Sequence, residues 1–290
     1  MGIPFDLEYI EPPAERSTKR SGIMLAYPYT EEYLRRMGDF FMQPKLDGLR
    51  CRALVVYGKC VLLSSEGNVI NTVPLINTEL AKIEGNGIEL DGELYVPGLC
   101  FEEIVSIVKR GALSVDHELV QFHCFDAMVA GTQEQRFREL HTGMSAWIQI
   151  AHMVSVKLVE TVRGCNDEHV QEYLQKCLDR GYEGVIVRDS QLQYQRKRTT
   201  QMLKIKPTKS DEYTIIGVTE EVSKAGTPKG RLGAIQCTCD AGDFSVGSGF
   251  TDVQRAHLWG ENLVGRTLVV QYQAGSKSGI PRFPVFLGVQ

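Results

Sequence analysis

Six consecutive residues near the start of the sequence combine an amine, a carboxylate, a glycine and a guanidinium. The string KLDGLR spans residues 45–50 and precedes a segment typical of a β-strand. A Lys-x-Asp-Gly-x-Arg pattern arises by chance in a chain of this length on the order of a few times in a thousand. A charged hairpin turn is the simple alternative. The chemical interpretation is attack by Lys45, which needs burial or neighbouring cations to favour the neutral amine over its usual pKa of about 10.4.

Carboxylates in two other segments can supply part of that setting. In IELDGEL, the strand period of two places Glu89, Asp91 and Glu93 on one face and the apolar residues on the other. A solvated strand face is the alternative there. Glu183 opens the run 185–187, which is typical of a buried strand. A carboxylate at the mouth of such a strand is a candidate ligand for a metal or a ribose.

Two lysines alternate with apolar residues in MLKIKP. Lys204 and Lys206 are predicted to share one strand face, with Leu203 and Ile205 on the other. Two adjacent lysines repel each other unless an anion lies between them, and a triphosphate would fit. The alternative is an edge strand that its lysines protect from pairing.

The elements that must position these residues follow from periodicity and capping. After an irregular lead-in with one short helix capped by Thr30, a hairpin is predicted around a Gly58-Lys59 turn. Further strands are predicted at 88–96, 119–129 and 183–188, and an extended segment at 154–162. Helices are predicted at 101–111, 134–153 and 165–181, the last with Asn166 as its cap.

A domain boundary is predicted at KPTKS, residues 206–210, where a proline follows a strand. Five short strands follow it, with one helix at 251–265 between the third and the fourth. This is the order of elements in an OB-fold barrel. The sequence therefore divides into a larger first domain and a small β domain.

Composition bounds the class of protein. The chain has 290 residues, 43% of them hydrophobic and 23% charged, which excludes disordered and fibrous proteins. No run approaches the roughly 18 apolar residues of a membrane span, and the first residues do not read as a secretory signal. We therefore expect a cytoplasmic protein with no membrane partner. The net charge of −4 does not by itself indicate a nucleic-acid partner.

Together these strings resemble the signature motifs of covalent nucleotidyltransferases, and most closely those of ATP-dependent DNA ligases. KLDGLR resembles the motif of the adenylated lysine, and LDGEL, FHCFD, EGVIVR and LKIKP resemble the motifs that follow it, in the right order. The closing SKSGIPRFPVFLGVQ is similar to the tail of short phage-type and minimal bacterial ligases. The resemblance implies an α+β fold. Residues 1–207 would form an adenylation domain of antiparallel sheets with flanking helices, and residues 208–290 an OB-fold β-barrel.

The resemblance also implies roles for individual residues. Lys45 would attack the α-phosphorus of ATP and hold AMP as a phosphoramidate. Gln43 would contact the adenine, and Phe125 would stack on its ring. Arg50 would bind a nucleotide phosphate or the ribose side of the nucleotide. A strand phenylalanine also serves simply as a core residue, which is the alternative for Phe125.

The remaining residues of the motifs would handle the ribose, the metal and the phosphates. Glu93 would bind the ribose, Glu183 would hold Mg²⁺ or Mn²⁺, and Glu93 is the second candidate metal ligand. Lys204 and Lys206 would contact the α-phosphate and help to activate Lys45.

The resemblance further implies that nicked double-stranded DNA is the partner, bound by a monomer. Local basic clusters bind phosphates even when the total charge is negative. The candidate DNA contacts are Arg196, Arg198, Lys224, Lys229, Arg231 and Arg282. Solvated surface is the alternative for the loop at 223–231. One departure from the family pattern is Ser65, which stands where an arginine is usual, and Arg282 is only an approximate counterpart of a carboxyl-terminal motif.

Three steps follow from the resemblance: transfer of AMP to Lys45, transfer to the 5′-phosphate of a nick, and displacement of AMP by the adjacent 3′-hydroxyl. Two alternatives share the lysine chemistry, namely an RNA ligase and a GTP-dependent mRNA-capping guanylyltransferase. A third alternative is a non-enzymatic OB-fold protein that binds nucleic acid.

Overall fold

The structure is a computed structural model, and it describes residues 17–84, 86–111, 114–223, 225–273 and 279–290. The chain divides into two compact units, the first ending at Ile205 and the second beginning at Lys206. The domain limits 1–207 and 208–290 stay a prediction.

The first unit mixes strands and helices. In chain order its elements are β1 (Leu25–Pro28), α1 (Glu31–Leu34), β2 (Phe40–Lys45), β3 (Leu49–Val56), β4 (Lys59–Ser64), β5 (Val69–Ile70), α2 (Pro74–Leu80), β6 (Asn86–Tyr95), α3 (Phe101–Lys109), a 3-10 helix (Val115–Leu119), β7 (Gln121–Ala127), α4 (Gln133–Ile150), β8 (Val156–Leu158), β9 (Val162–Gly164), α5 (Asp167–Asp179), β10 (Gly184–Asp189) and β11 (Arg198–Ile205).

Five of these strands form a sheet with the order β1-β11-β10-β2-β9, which we call the first sheet. One face carries the buried side chains of Phe40, Met42 and Val185, which belong to the same core cluster as Val170 and Tyr173 of α5. Strand alternation sends Gln43 and Lys45 to the opposite face.

Six strands form the second sheet, with the order β5-β4-β3-β6-β7-β8. Its core face includes Leu90 and Leu94, which belong to one hydrophobic cluster with Ile76 of α2, Ile104 of α3 and Leu140 of α4. The other face of β6 carries the three acidic residues predicted to share it. The alternation read from IELDGEL is therefore confirmed.

Local sequence explains several element boundaries. Tyr57 and Gly58 have φ values of 48° and 72°, the left-handed pair that a two-residue hairpin turn between β3 and β4 requires. The side chains of Thr30 and Asn166 accept hydrogen bonds from backbone amides at the starts of α1 and α5. The predicted hairpin and both predicted caps are confirmed, although the turn residues are Tyr57 and Gly58, and Lys59 already begins β4.

The segment 154–162 departs from its prediction as one extended piece. Val156–Leu158 pairs with β7 of the second sheet, whereas Val162–Gly164 pairs with β2 of the first. The residues between them carry the chain from one sheet to the other, so the extended pattern belongs to two strands.

The second unit contains β12 (Thr208–Val222), β13 (Pro228–Cys239), β14 (Gly242–Val246), α6 (Asp252–Trp259), β15 (Thr267–Gln273) and β16 (Arg282–Val289). The strands form one sheet with the order β14-β13-β12-β15-β16. An isolated parallel bridge between Ser248 and Val285 links its two edges. The helix lies between the third and fourth strands as predicted, but it ends at Trp259 with Gly260 as its C-cap rather than continuing to residue 265.

The two units together confirm the α+β class. In the part of the chain that the structure describes, no helix has the length and apolar character needed to cross a membrane.

Candidate active site

Lys45 and Glu183 lie side by side in the first sheet, where β2 ends and its antiparallel neighbour β10 begins. Lys45 is the last residue of β2 and is opposite Gly184, the first residue of β10. The Glu183 amide donates to the Lys45 carbonyl at 3.1 Å. The two side chains form an ion pair and keep 20% and 17% of their surface exposed. The lysine is thus partly shielded, beside a carboxylate and within reach of solvent.

Gly48 allows the turn after Lys45 to lie against β6. A Cβ atom at this position would stand 2.4 Å from the Leu94 carbonyl oxygen and 2.8 Å from Cγ of Glu93. Real side-chain atoms do not approach that closely, so only glycine fits without displacement of Glu93. The glycine of the KLDGLR string therefore brings the turn and Glu93 together.

Arg50 is held by a buried carboxylate. Its Nε and Nη2 atoms donate to Asp91 at 2.7 and 2.6 Å, and Nη2 also donates to the Met24 carbonyl at 3.1 Å. Asp91 is fully buried and accepts a third bond from the Tyr194 hydroxyl at 2.5 Å. Burial opposes the charge of Arg50, but Asp91 outweighs it and raises the pKa of the guanidinium.

Glu93 faces Arg50 across the β3–β6 pair. Burial raises the pKa of Glu93 to about 7, and Arg50 and Lys45 offset only part of this rise, while Asp91 and Glu183 add to it. Near neutral pH the carboxyl group is therefore divided between its charged and neutral forms. In the neutral form it donates a hydrogen bond as well as accepting one.

Gln43 joins the two sheets beside the site. Its Nε2 donates to the Phe125 carbonyl and to the Thr161 hydroxyl, each at 3.0 Å, and its Oε1 accepts from Arg188 Nε at 2.9 Å. The Phe125 ring lies 4.8 Å from the guanidinium carbon of Arg50 and 5.1 Å from that of Arg188. Gln43 and Phe125 are thus neighbours, as their predicted contacts with one base require.

The two predicted phosphate lysines fall in different units. Lys204 of β11 is opposite Ile186 of β10, and Ile186 is opposite Gln43 of β2. Residues directly opposite each other on neighbouring strands point to the same face of a sheet. Lys204 therefore shares the face of Gln43, which is also the face of Lys45. Lys206 follows the end of β11 and belongs to the second unit, where its Nζ lies 6.0 Å from the centre of the Phe283 ring. The role of Lys206 stays a prediction.

A buried charge cluster was not predicted. The Asp126 carboxylate accepts hydrogen bonds from Arg136 Nε at 2.9 Å and from Arg188 Nη1 at 3.0 Å. All three residues are at most 1% exposed. Asp126 and Arg188 are the last residues of the motifs FHCFD and EGVIVR, so these motifs were the sequence signal for them. Arg136 had no signal, because an arginine on an amphipathic helix is usually a surface residue.

The predicted DNA contacts of the first unit already have protein partners. Arg196 forms an ion pair with Glu89 and donates to the Gly22 carbonyl at 2.9 Å. Arg198 donates to the Ala26 carbonyl at 2.5 Å. Their role at DNA stays a prediction.

The same holds for the candidates in the second unit. Lys229 and Arg231 pair with Glu221, and Arg231 also lies 3.0 Å from Asp252. The guanidinium carbon of Arg282 lies 5.4 Å from the centre of the Phe283 ring. Lys224 lies outside the described residues.

Ser65 replaces the arginine usual in the family motif. It is 5% exposed, and its hydroxyl donates to Glu66 at 2.6 Å.

No group of three or more His, Cys, Asp or Glu side chains suited to a metal ion occurs in the described ranges.

Comparison with known proteins agrees with these arrangements. Residues 23–206 match the family described as ATP dependent DNA ligase domain, and residues 225–290 match the DNA ligase OB-like domain. A DNA ligase of Haemophilus influenzae is 26% identical over 271 residues, which cover 92% of this chain and 91% of that protein.

Two solved structures have the same fold. A Lig E DNA ligase superposes with a TM-score of 0.75 at 24% identity, over 93% of this chain and 99% of that one. The ATP-dependent DNA ligase of bacteriophage T7, in complex with ATP, gives a TM-score of 0.58 at 17% identity, over 92% of this chain and 98% of that one. Because the family match spans most of the chain and contains Lys45, this protein belongs to the ATP-dependent DNA ligases, enzymes that form phosphodiester bonds.

Proposed function

We propose that this enzyme seals nicks in duplex DNA through an AMP adduct on Lys45. The observation that carries the proposal is the position of Lys45, which ends β2 in an ion pair with Glu183. Arg50 and Glu93 stand across the turn that Gly48 permits. A partly shielded lysine in contact with a carboxylate that can accept its proton is a setting in which an amine can act as a nucleophile.

In the first step the Lys45 Nζ–P bond forms, and the bond from the α-phosphorus to the β-phosphate bridging oxygen breaks. Nζ loses its proton before it attacks, and the Glu183 carboxylate is the group in contact with it. Lys204, on the same sheet face, offsets the charge of the phosphates. Pyrophosphate leaves with the electron pair of the broken bond.

The nucleotide is oriented by neighbours of Lys45. Gln43 and Phe125 serve the adenine, and Arg188 fixes the Gln43 carbonyl oxygen, which turns the amide in one direction. Glu93 serves the ribose, because a carboxyl group with a pKa of about 7 accepts from or donates to a hydroxyl. Arg50 would bind a phosphate or the ribose side of the nucleotide through the N–H groups that do not donate to Asp91.

Glu183, with Glu93 as a second ligand, would hold Mg²⁺ or Mn²⁺. The donor set fits such a cation, because Glu183 contacts Lys45 and Glu93 lies against Gly48, three residues after that lysine. Magnesium is commonly bound by one or two carboxylates together with substrate phosphates. Bound there, the cation would neutralise charge on the phosphates.

The later steps use the same lysine. The Nζ–P bond of the adduct breaks as the 5′-phosphate of the nick takes the AMP, and the adjacent 3′-hydroxyl then displaces AMP to form the phosphodiester bond. Nicked duplex DNA is the partner, and one chain acts in the cytoplasm, where ATP is available. Lys206 would contact the α-phosphate, Arg282 would contact DNA or the leaving pyrophosphate, and the other basic residues of the second unit would contact DNA.

Incubation with α-labelled ATP and magnesium tests the proposal. We expect covalent label on the wild type, none on Lys45→Ala, and full label on the matched control Lys59→Ala at an exposed hairpin position. Sealing of a nicked duplex with ATP, GTP or NAD follows. Preference for GTP would instead indicate capping chemistry, sealing of RNA alone an RNA ligase, and DNA binding without label a non-enzymatic protein.

A further inference from the structure

The segment before β1 is fixed to the turn that follows β4. The Ser17 amide donates to Asn68 Oδ1 at 3.0 Å, and Asn68 Nδ2 donates back to the Ser17 carbonyl at 2.9 Å. The Ser21 amide donates to the Ser65 carbonyl at 3.0 Å. Residues 17–21 are therefore bound at both ends to this turn, and Lys19 and Arg20 lie between the two attachments.

The turn stands next to the candidate active site. Ser64 pairs with Cys51 across β3 and β4, so Ser65 comes level with Arg50. Arg50 is in turn opposite Glu93. The attachment of Ser21 to Ser65 therefore places Arg20 at the border of the nucleotide-binding face.

Positive charge continues along this border. The Leu25 amide donates to the Lys197 carbonyl at 3.1 Å, and Leu25 is opposite Arg198, so the chain at 196–198 runs beside the chain at 22–26. We call this surface the basic edge. It contains the cations Lys19, Arg20, Arg52, Arg196, Lys197 and Arg198 and the carboxylates Glu66 and Glu89. Six cations against two carboxylates leave a net charge of +4 on the edge of a chain whose total is −4.

Arg20 differs from the other arginines of the basic edge in its contacts. Arg52 and Arg196 both bind Glu89, and Arg198 binds a carbonyl. The Arg20 side chain is 63% exposed, and its Nε lies 3.9 Å from Glu66 Oε1. That distance is too long for a hydrogen bond. The guanidinium of Arg20 therefore has donors directed to solvent on a fixed backbone.

We propose that Arg20 binds a backbone phosphate of the DNA beside the site, with Lys19 adding charge along the same strand. The proposal rests on the proposed nick-sealing function. A phosphate of ATP has the same chemistry, but the cations of the basic edge other than Arg52 are exposed and spread along it, which suits a polyanionic strand better than one compact triphosphate. Fixing the backbone at Ser17 and Ser21 lowers the entropy lost when the side chain binds.

The test compares Arg20→Gln and Arg20→Lys with Arg35→Gln, a control at the C-cap of α1, where the arginine side chain is 77% exposed. Each protein is assayed for label from α-labelled ATP, for affinity to nicked duplex at several salt concentrations, and for sealing of a nick that already carries AMP. We expect Arg20→Gln to bind DNA roughly tenfold more weakly and to lose about one unit from the slope of log K against log salt. Arg20→Lys should retain the slope, and the adenylation of all three variants should be normal.

The outcomes separate this inference from the function on which it rests. If the wild type neither takes label nor seals nicks, the proposed function fails. If it does both, and Arg20→Gln keeps the wild-type affinity and salt slope, Arg20 makes no DNA contact and the inference is overturned. If Arg20→Gln loses adenylation and keeps DNA affinity, the phosphate belongs to ATP and the inference is likewise overturned.

Discussion

Lys45 and Glu183 form an ion pair although they are 138 residues apart in the sequence. Backbone pairing of β2 with β10 sets the contact, because Lys45 is opposite Gly184. The nucleophile and the carboxylate next to it are thus positioned by strand register rather than by a flexible loop.

Replacement of Glu183 by Gln should slow the formation of the Lys45 adduct by roughly 10²-fold, the usual cost of removing one electrostatic group from such a site. The amide keeps the size of the side chain but loses its charge. The measurement is the initial rate of labelling by α-labelled ATP at fixed magnesium. Glu172→Gln, at an exposed position of α5, is the control. Equal rates for both variants would remove Glu183 from the adenylation step.

Replacement of Gly48 by Ala should destabilise the first unit and weaken nucleotide binding together. A Cβ atom 2.8 Å from Cγ of Glu93 must displace that side chain, and overpacking of this kind costs about 1–3 kcal/mol. Thermal unfolding with and without ATP measures both effects. Gly38→Ala is the matched control, since a Cβ atom there meets nothing within 4 Å. A wild-type shift on addition of ATP to Gly48→Ala would contradict the prediction.

Replacement of Asp126 by Asn should lower the free energy of unfolding by about 3–5 kcal/mol, because it leaves two buried arginines without their shared carboxylate. Urea unfolding measures the change. The control is Glu31→Gln, which breaks an exposed ion pair with Arg35 and should cost less than about 1 kcal/mol. Similar losses in the two variants would show that the buried cluster contributes little.

His123 should make the first unit less stable in acid. Burial lowers the pKa of His123 from its ordinary 6.5 to about 4, and Lys157 adds to the effect. Below pH 6.5 the unfolded chain therefore binds a proton that the folded chain excludes, and this costs about 2 kcal/mol at pH 5 relative to pH 7.

Urea unfolding at pH 7 and pH 5 checks this expectation. His123→Gln should lose less stability than the wild type over that interval, whereas His169→Gln, at an exposed position of α5, should follow the wild type. An unchanged pH dependence in His123→Gln would assign the effect to other groups.

Sequence reasoning succeeded where the side-chain period and the burial agree. The alternation around Asp91 predicted one polar face of β6, and the structure buries that face against arginines. The hairpin at Gly58 and the cap at Asn166 depend on a few neighbouring residues, so their sequences suffice. KLDGLR indicated a functional lysine because the string combines groups that a surface turn does not need.

Contacts between residues far apart in the sequence could not be predicted from local patterns. The partner of Arg50 is Asp91, and only the pairing of β3 with β6 brings them together. Arg136 of α4 is buried because it forms an ion pair with Asp126 of β7. The division of 154–162 between two sheets depends on the positions of β7 and β2, which that segment does not encode. Lys204 and Lys206 showed one alternating pattern, yet β11 ends between them.

The strand order of the first sheet has a consequence for biosynthesis. β2 carries the nucleophile, and its two neighbours are β10 and β9, both from the later half of the first unit. While the ribosome is still adding the residues before Val162, β2 has neither partner strand, and Lys45 has no Glu183 beside it. The surroundings of Lys45 are therefore assembled only after β9 and β10 have been synthesised, late in the translation of the first unit.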